Sequence, residues 1–310
     1  MLKYIFKRLL VLILLSVTAI SIAFMVLHLL GDHSFSHPFI STATDGTPEN
    51  INAWREARGL NDPILIQYTR YMAGIFRGDL GNSFRTGVPV AQEVMQRFSY
   101  TLRLSLIALS AALLLAVPMG IIAALKRNTW IDSMSMFIAL IGISIPLMWL
   151  GILLIIWQIN FGWISPSGAI TWDRFIQPAI TLGVGMMAAM IRSTRSSVLE
   201  AMEQNYIKAA KAKGLSDNKI IRKHILPNIV IPVLASVKAN LGVFFTGILI
   251  VENTFVWPGI GRLMRQGVAA NDYPMVLGCL LMFILFFAFI NFIVDIAKAF
   301  ADPVMRREYR

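Results

Sequence analysis

Residues 200–227 read EAMEQNYIKAAKAKGLSDNKIIRKHILP, a polar and strongly basic stretch between two long apolar segments. The positive-inside rule places loops rich in Lys and Arg on the cytoplasmic side of a membrane. The stretch therefore predicts a cytoplasmic loop that joins two transmembrane helices, and the remainder of the chain is best understood from this loop outward.

The loop carries the signals of two short helices joined by a glycine. Asn205 can cap a helix that Gly214 ends, because glycine adopts a left-handed conformation without strain. A second helix would begin at Ser216 or Asp217 and end before Pro227. Two short helices with a fixed glycine elbow predict a docking element for another protein.

The spacing within the loop is that of a known motif. Ala209 and Ala210 are followed after three residues by Gly214, and after nine more by His224, which begins His-Ile-Leu-Pro. This pattern resembles the EAA loop of ATP-binding-cassette importer permeases. That motif has Glu where this chain has Lys208, and Ile where it has His224. These departures favour the variant found in peptide and nickel permeases.

The resemblance implies a partner and the residues that meet it. In that family the loop fits a cleft on a cytoplasmic ATPase and passes ATP-driven motion to the membrane helices. The small side chains of the loop leave a low surface for such a partner. The residues implied as ATPase-coupling are Tyr206, Lys208, Ala209, Ala210, Lys211, Gly214, Leu215 and His224. The alternative interpretation is an ordinary basic cytoplasmic loop.

Composition identifies an integral membrane protein. Hydrophobic residues make up 56% of the chain, charged residues only 15%, and the mean hydropathy is +0.66. The net charge of +11 could suggest nucleic acid, but cytoplasmic loops facing anionic lipid and a partner explain it better. The lone cysteine, Cys279, excludes an intrachain disulfide. No phosphate-binding P-loop motif occurs, so any energy source is another polypeptide or an ion gradient.

Apolar runs predict an all-α protein with six transmembrane helices and both termini in the cytoplasm. The predicted spans are residues 9–30, 100–125, 131–161, 177–191, 228–252 and 275–299. The predicted division is a first helix plus extracytoplasmic segment over 1–98, a transmembrane domain over 99–300 with its coupling loop at 199–227, and a cytoplasmic tail over 301–310.

The segment between the first two spans is the largest outside the membrane. Helices are expected near residues 48–58 and 64–76, after a loop-like part that begins at Gly31. Residues 58–68 and 77–84 both resemble the same permease family. The segment either meets an external binding protein and closes the pathway, or it is a structural cap.

Three histidines, His28, His33 and His37, lie near the outer end of the first helix. His33 and His37 are four residues apart, a spacing that would suit a metal ion on a helix. Pro38 and the Gly31-Asp32 start argue against a helix here, so we expect solvated loop histidines and no metal site.

A few polar or helix-breaking residues within the spans are candidates for the transport pathway. A charge inside a span is costly unless it faces protein or water, although the long Lys side chain can also extend to the surface. Asp295 is expected to pair with a cation on a neighbouring helix. The pathway candidates are Ser144, Pro146, Lys238, Asn240, Glu252 and Trp257.

Nearly the whole chain resembles the permeases of dipeptide, oligopeptide and nickel importers with the type I fold. The resemblance implies an inner-membrane subunit of a bacterium that pairs with a second permease, two ATPases carrying ATP and Mg, and an external substrate-binding protein. The chain itself would bind no cofactor and would not be an enzyme. Two alternatives are an ion-coupled secondary transporter and a membrane-embedded enzyme; no residue pair here has catalytic spacing.

Overall fold

The computed structural model describes residues 2–34, 47–161 and 173–301. Within these ranges all regular secondary-structure elements are helices, and the β-structure is limited to an isolated bridge between Asn82 and Pro89. The all-α prediction is confirmed. The α-helices are α1 Leu2–Ser34, α2 Pro48–Ala57, α3 Ile64–Arg77, α4 Val90–Leu125, α5 Trp130–Ser144, α6 Leu147–Phe161, α7 Asp173–Glu203, α8 Asn205–Ala212, α9 Asp217–Ile220, α10 Leu226–Thr254, α11 Ile260–Ala269 and α12 Tyr273–Ala301.

Among the residues that the structure describes, six segments are long and apolar enough to cross a membrane if a bent pair is taken as one span. Five are continuous, and the sixth joins α5 and α6. This count agrees with the six predicted spans. The continuous segments are Tyr4–Leu29, Val90–Leu125, Arg174–Glu203, Ile221–Thr254 and Tyr273–Ala301.

The predicted third span over 131–161 is a pair of helices, α5 and α6, with a sharp bend between them. The axes of α5 and α6 bend by 99° at their junction. The residue before a proline is forced out of the helical region, and Ile145 accordingly has φ −82° and ψ 121°. The backbone around the bend remains paired, since Ile145 N–H donates to Ile141 and Leu150 N–H donates to the Pro146 carbonyl. Pro146 therefore divides the span into two half-length helices.

Several helices extend beyond their apolar parts. The first ends at Ser34, so the loop expected from Gly31 begins later than the sequence indicated. The fourth continues to Glu203, although its apolar run ends near Ile191. Hydropathy marks only the part of a helix that suits hydrocarbon, and polar turns prolong it into water. The two extramembrane helices lie where they were expected, as α2 and α3.

The sequence predicted that the second helix of the loop ends before Pro227, but the helix continues past this proline. It passes through a π-helical turn, Ile221–Ile225, and joins α10, where Pro227 lies in the first turn. Leu226 N–H donates to the carbonyl of Ile221, five residues earlier. A proline ring crowds the carbonyl four residues before it, and the wider π turn relieves that crowding. The second helix of the loop and the fifth span are therefore one continuous helical segment.

The chain divides into two compact units. The first unit consists of residues 102–255 with the described parts of 1–8 and 289–310. Here α7 packs against α5, α6 and α10. A methyl group at Gly142 would lie 3.1 Å from the Ala188 side chain, so this glycine permits the close approach of α5 and α7.

The second unit consists of residues 9–101 and 256–288. One of its hydrophobic clusters joins α1 to α12 through Ile20, Phe24, Leu277 and Leu281. Another packs the start of α4 against α11 and α12, with Val90, Val94, Ile260, Leu263, Met275 and Cys279 at its centre. The extramembrane helices α2 and α3 belong to this unit.

Candidate functional site

The loop at residues 205–225 forms the elbow that its sequence predicts. Gly214 has φ +74°, the left-handed conformation that ends α8. Its N–H donates to the Lys211 carbonyl at 2.9 Å, and Leu215 N–H donates to the Ala210 carbonyl at 3.3 Å. This pair of hydrogen bonds is the Schellman motif, which satisfies the last carbonyls of a helix and fixes the exit direction of the chain. The start differs from the prediction: Asn205 is the first residue of α8, and no side chain caps the helix.

One face of the elbow is anchored in a hydrophobic core. Ile207 and Ala210, three residues apart on α8, are both buried, and Leu215 packs beside them. We call this group the elbow core. Its other buried members come from the end of α4, from α7, and from the helical segment that follows the elbow: Ala124, Val198, Ala201, Ile220, Ile225 and Ile229. The elbow is thereby fastened to three apolar spans.

The other face of the elbow is open and basic. A side-chain atom added at Gly214 would meet none of the described residues within 4 Å, so they leave the elbow tip unobstructed. The exposed coupling candidates are Tyr206, Lys208, Ala209, Lys211 and Gly214, while Ala210 is buried and Leu215 and His224 are half-buried. The exposed candidates can touch a partner directly, whereas Ala210 and Leu215 hold the elbow in shape.

A small polar network joins the two sides of the elbow. The Asn228 side-chain amide donates to the Tyr206 hydroxyl at 3.3 Å and to the His224 carbonyl at 2.7 Å. The rings of Tyr206 and His224 lie 6.4 Å apart. The structure thus brings together two coupling candidates that are far apart in the sequence.

An ion pair that the sequence did not reveal joins α5 and α7. Arg195 on α7 donates two hydrogen bonds to Asp132 on α5, at 2.6 and 2.7 Å. Asp132 also accepts the N–H of Asn128, a residue with φ +63°. The Asp132 side chain is only 7% exposed. An acidic residue at the start of an apolar span is itself a signal of such a partner.

Lys238 forms an ion pair with Asp295. This confirms the expectation that Asp295 pairs with a cation on a neighbouring helix. The Lys238 ammonium donates to the Asp295 carboxylate at 2.5 Å, and Arg8 lies 3.5 Å from the same carboxylate. The carboxylate is nearly buried, with 7% of its side chain exposed. This pairing explains how a lysine is tolerated in an apolar helix.

The remaining pathway candidates have different surroundings. Ser144 and Pro146 are exposed at the bend between α5 and α6. The Asn240 amide donates to the Ser236 carbonyl of its own helix at 2.8 Å. Glu252 is fully buried in the first unit. Trp257 is buried in the second unit and donates its indole N–H to the Tyr100 carbonyl at 3.3 Å.

The histidine group is only partly described. Both ring nitrogens of His28 form hydrogen bonds. Nε2 lies 2.8 Å from the Gln67 side-chain oxygen, and Nδ1 contacts the Tyr273 hydroxyl. His33 lies in the last turn of α1, where no helix was expected, and His37 falls outside the described residues. The described ranges contain no group of three potential metal ligands.

Comparison with known proteins identifies the family of this chain. Residues 116–307 match the family described as "Binding-protein-dependent transport system inner membrane component", and residues 1–105 match the N-terminal part of such components. The glutathione transport system permease protein GsiC of Escherichia coli O6:H1 is 37% identical over 308 residues, with 99% of both chains covered. The GsiC protein of Salmonella paratyphi A is 36% identical over the same length and coverage.

A solved structure shares the fold. The MetNI methionine ABC transporter in an inward-facing conformation aligns with a TM-score of 0.55 and 18% identity, over 67% of this chain and 96% of that one. The chain therefore belongs to the family of binding-protein-dependent inner-membrane transport components, and it is a multi-pass permease subunit of an ABC importer that works with ATPase and substrate-binding partners and is not itself an enzyme.

Proposed function

We propose that this permease forms one half of a pathway that imports small peptides, and that a related, distinct permease forms the other half. Two ATPase subunits, which carry ATP and Mg, dock on the elbow around Gly214. An external binding protein delivers the substrate. The observation that carries this proposal is the elbow itself, with one face fixed in the elbow core and the other open, basic and free of obstruction at its tip.

The mechanism is alternating access driven through the elbow. ATP binding brings the ATPases together and moves the exposed face of α8. Because α8 packs against both α7 and α9, and α9 continues through the π turn into α10, motion of α8 is passed to both spans. Substrate enters from the binding protein while the helices open outward and leaves inward after hydrolysis.

The bend between α5 and α6 is the strongest pathway candidate. Backbone that departs from a helix at membrane depth is tolerated where it lines a cavity or meets protein. Ser144 and Pro146 lie at that bend and are exposed in the single subunit. Three other candidates remain pathway predictions: Asn240, Glu252 and Lys238. The ion pair with Asp295 already explains why an apolar helix tolerates Lys238.

Substrate class is tested by uptake. The relatives are named for glutathione, a small peptide. The loop resembles the variant of peptide and nickel permeases. In vesicles containing the full assembly and its binding protein, we expect ATP-dependent uptake of radiolabelled glutathione or a dipeptide, and no uptake of a nickel chelate. Uptake of the chelate alone would replace the peptide proposal with a metal one. Uptake driven by an ion gradient without ATP would contradict the proposed mechanism.

The orientation of the elbow is tested by cysteine labelling. The native thiol of Cys279 is buried and can be replaced by alanine. In that background we expect Ala209→Cys to react with a membrane-impermeant maleimide only in inside-out vesicles, because Ala209 is exposed on the proposed cytoplasmic face. Bound ATPase should protect it.

Two matched positions control this labelling. Ala210→Cys should react poorly in either orientation, since Ala210 is 6% exposed. Arg77→Cys, at the exposed end of α3, should react only from the opposite side of the membrane. Labelling of Ala209→Cys in intact cells would invert the proposed topology.

A further inference from the structure

The second unit contains a cavity that the coupling mechanism does not use. Its volume is about 630 Å³, which is within the range of small-molecule sites. The walls come from α1, from the extramembrane helices α2 and α3 with the loop after them, and from the start of α12. Aromatic and apolar side chains form part of the lining, among them Phe24, Tyr71 and Leu277. The cavity can therefore hold a molecule with an apolar portion.

One wall is fixed by a saturated hydrogen-bond network. The Gln67 amide donates to the carbonyls of Leu60 at 3.1 Å and Asp62 at 2.8 Å, so its oxygen faces His28. His28 must then carry its proton on Nε2, which donates to that oxygen at 2.8 Å. Its Nδ1 is left to accept from the Tyr273 hydroxyl, whose single proton is shared with the Phe24 carbonyl at 3.2 Å. Since both ring nitrogens of His28 are hydrogen-bonded within the protein, this wall fixes the shape of the cavity. His28 has no ring nitrogen left to bind a ligand.

Tyr71 contributes a hydroxyl that is not satisfied. Its oxygen is buried and has no hydrogen-bond partner among the described residues. Its ring stacks on Phe24 with 5.3 Å between the centroids, which holds the side chain at the cavity wall. Burial raises the pKa of the Tyr71 hydroxyl, so it stays protonated and can donate at neutral pH. A buried donor without an acceptor costs free energy unless a bound molecule supplies one.

A cation lies at the same cavity. The Arg58 guanidinium stacks 3.9 Å over the Trp54 ring and donates one N–H to the Trp54 carbonyl. In the described part of the chain no carboxylate lies within ion-pair distance of Arg58, whereas Arg70 on the same cavity is paired with Asp62 at 2.6 Å. A guanidinium has five N–H donors, so the remaining N–H groups of Arg58 can bind a carboxylate.

We propose that this cavity binds a small peptide-like molecule by its carboxylate, with Arg58 as the counter-ion and the Tyr71 hydroxyl as the buried hydrogen-bond donor. An apolar side chain of the ligand packs against Phe24 and Leu277. The peptide class of the ligand rests on the proposed function. The carboxylate recognition rests only on the residues of the cavity.

The test is equilibrium binding to the assembled transporter in lipid nanodiscs, without binding protein and without ATP. The probes are radiolabelled alanyl-phenylalanine and its C-terminal amide. We expect saturable binding of the acid and at least about tenfold weaker binding of the amide, because the amide cannot form the charge-assisted hydrogen bonds. Tyr71→Phe and Arg58→Gln should each weaken binding of the acid about tenfold or more.

The variants separate binding from folding. Tyr71→Phe removes an unsatisfied hydroxyl, so its thermal midpoint should equal or exceed that of the wild type while its affinity falls. Arg77→Gln makes the same charge change on an exposed arginine that does not line the cavity, and it should bind like the wild type. Equal affinity for acid and amide, or unchanged affinity in Tyr71→Phe, would overturn the proposal.

Uptake of the same dipeptide in vesicles distinguishes this proposal from the proposed function. A dipeptide that is transported, with binding indifferent to Tyr71→Phe, would refute the cavity site and leave peptide import standing. Tyr71-dependent binding of a dipeptide that is never transported would support the cavity site and refute peptide import. Saturable, Tyr71-dependent binding together with transport supports both.

Discussion

Gly214→Pro is expected to reduce ATP-driven uptake by about a hundredfold or more, because a proline cannot adopt the elbow conformation. The native φ at this position is +74°, whereas the proline ring fixes φ near −65°. The exchange also removes the N–H that donates to the Lys211 carbonyl. With that turn lost, Leu215 is withdrawn from the elbow core and the exposed face of α8 is no longer presented at a fixed angle.

The measurement has two parts, uptake in reconstituted vesicles and co-purification of the ATPase with the permease. Both should fail in Gly214→Pro while the permease itself remains folded in the membrane, since among the described residues nothing lies within 4 Å of a side chain placed at the elbow tip. Gly214→Ala is the graded control: a side chain there meets nothing within 4 Å, so only the left-handed strain of about 1 kcal/mol applies. We expect it to lose no more than a few-fold in uptake.

A second control uses a glycine of the same kind elsewhere. Gly78 ends α3 with φ +76°, and a side chain there would also meet nothing within 4 Å. Gly78→Pro should therefore damage a helix end comparably, yet leave ATPase co-purification intact. Fully coupled uptake in Gly214→Pro would mean that the elbow does not transmit the motion of the ATPases.

The elbow could be predicted because its signals are local. A left-handed glycine after a short helix, with a basic face beside it, is determined by a few neighbouring residues. The continuity across Pro227 could not be predicted in the same way. A proline usually ends or kinks a helix, and only the three-dimensional packing of the π turn shows that the helix continues.

Hydropathy identified the spans but not their shape. The apolar run from 131 to 161 is long enough for one tilted helix, and nothing in its composition reveals a bend of 99°. Pro146 and the restriction on Ile145 were the available signals, and they indicated a kink without its size. For the same reason, side-chain roles at Ser144 and Pro146 remain predictions.

Contacts between distant residues were the least predictable part. The pairing of Asp295 with a cation was expected, because a buried carboxylate in a span requires one, and Lys238 and Arg8 supply it. Asp132 on α5 and Arg195 on α7 have α6 between them in the chain, and only the packing of α5 and α7 shows that they meet. The cavity in the second unit likewise depends on helices that are brought together from the start and the end of the chain.

Asp132→Ala is expected to destabilise the first unit by about 3–5 kcal/mol, because it leaves the Arg195 guanidinium partly buried without its carboxylate. The Arg195 side chain is 23% exposed and donates both hydrogen bonds to Asp132. The same exchange removes the acceptor of the Asn128 N–H, at a turn that already has positive φ. The free energy of unfolding can be measured by denaturant titration of the purified assembly in mild detergent.

A neighbouring ion pair provides the matched control. Arg127 and Glu203 lie 3.7 Å apart, but their side chains are 56% and 74% exposed. Exposed pairs contribute about 1 kcal/mol or less, so Glu203→Ala should barely change the unfolding midpoint. Replacing both members of the buried pair, as Asp132→Leu with Arg195→Leu, should recover most of the stability that Asp132→Ala loses, because no uncompensated charge remains.

The positions of Asp132 and Arg195 allow their ion pair a role in transport as well as in stability. Asp132 is in the first turn of α5, the first half of the bent span, while Arg195 is on α7 shortly before the elbow. Their bidentate hydrogen bonds hold these two helices together at that level. If the pair carries elbow motion to the bend, the Asp132→Leu, Arg195→Leu double variant should fold and still bind the ATPase, but it should hydrolyse ATP with little uptake. Uptake and hydrolysis that stay coupled in the double variant would limit the pair to a structural role.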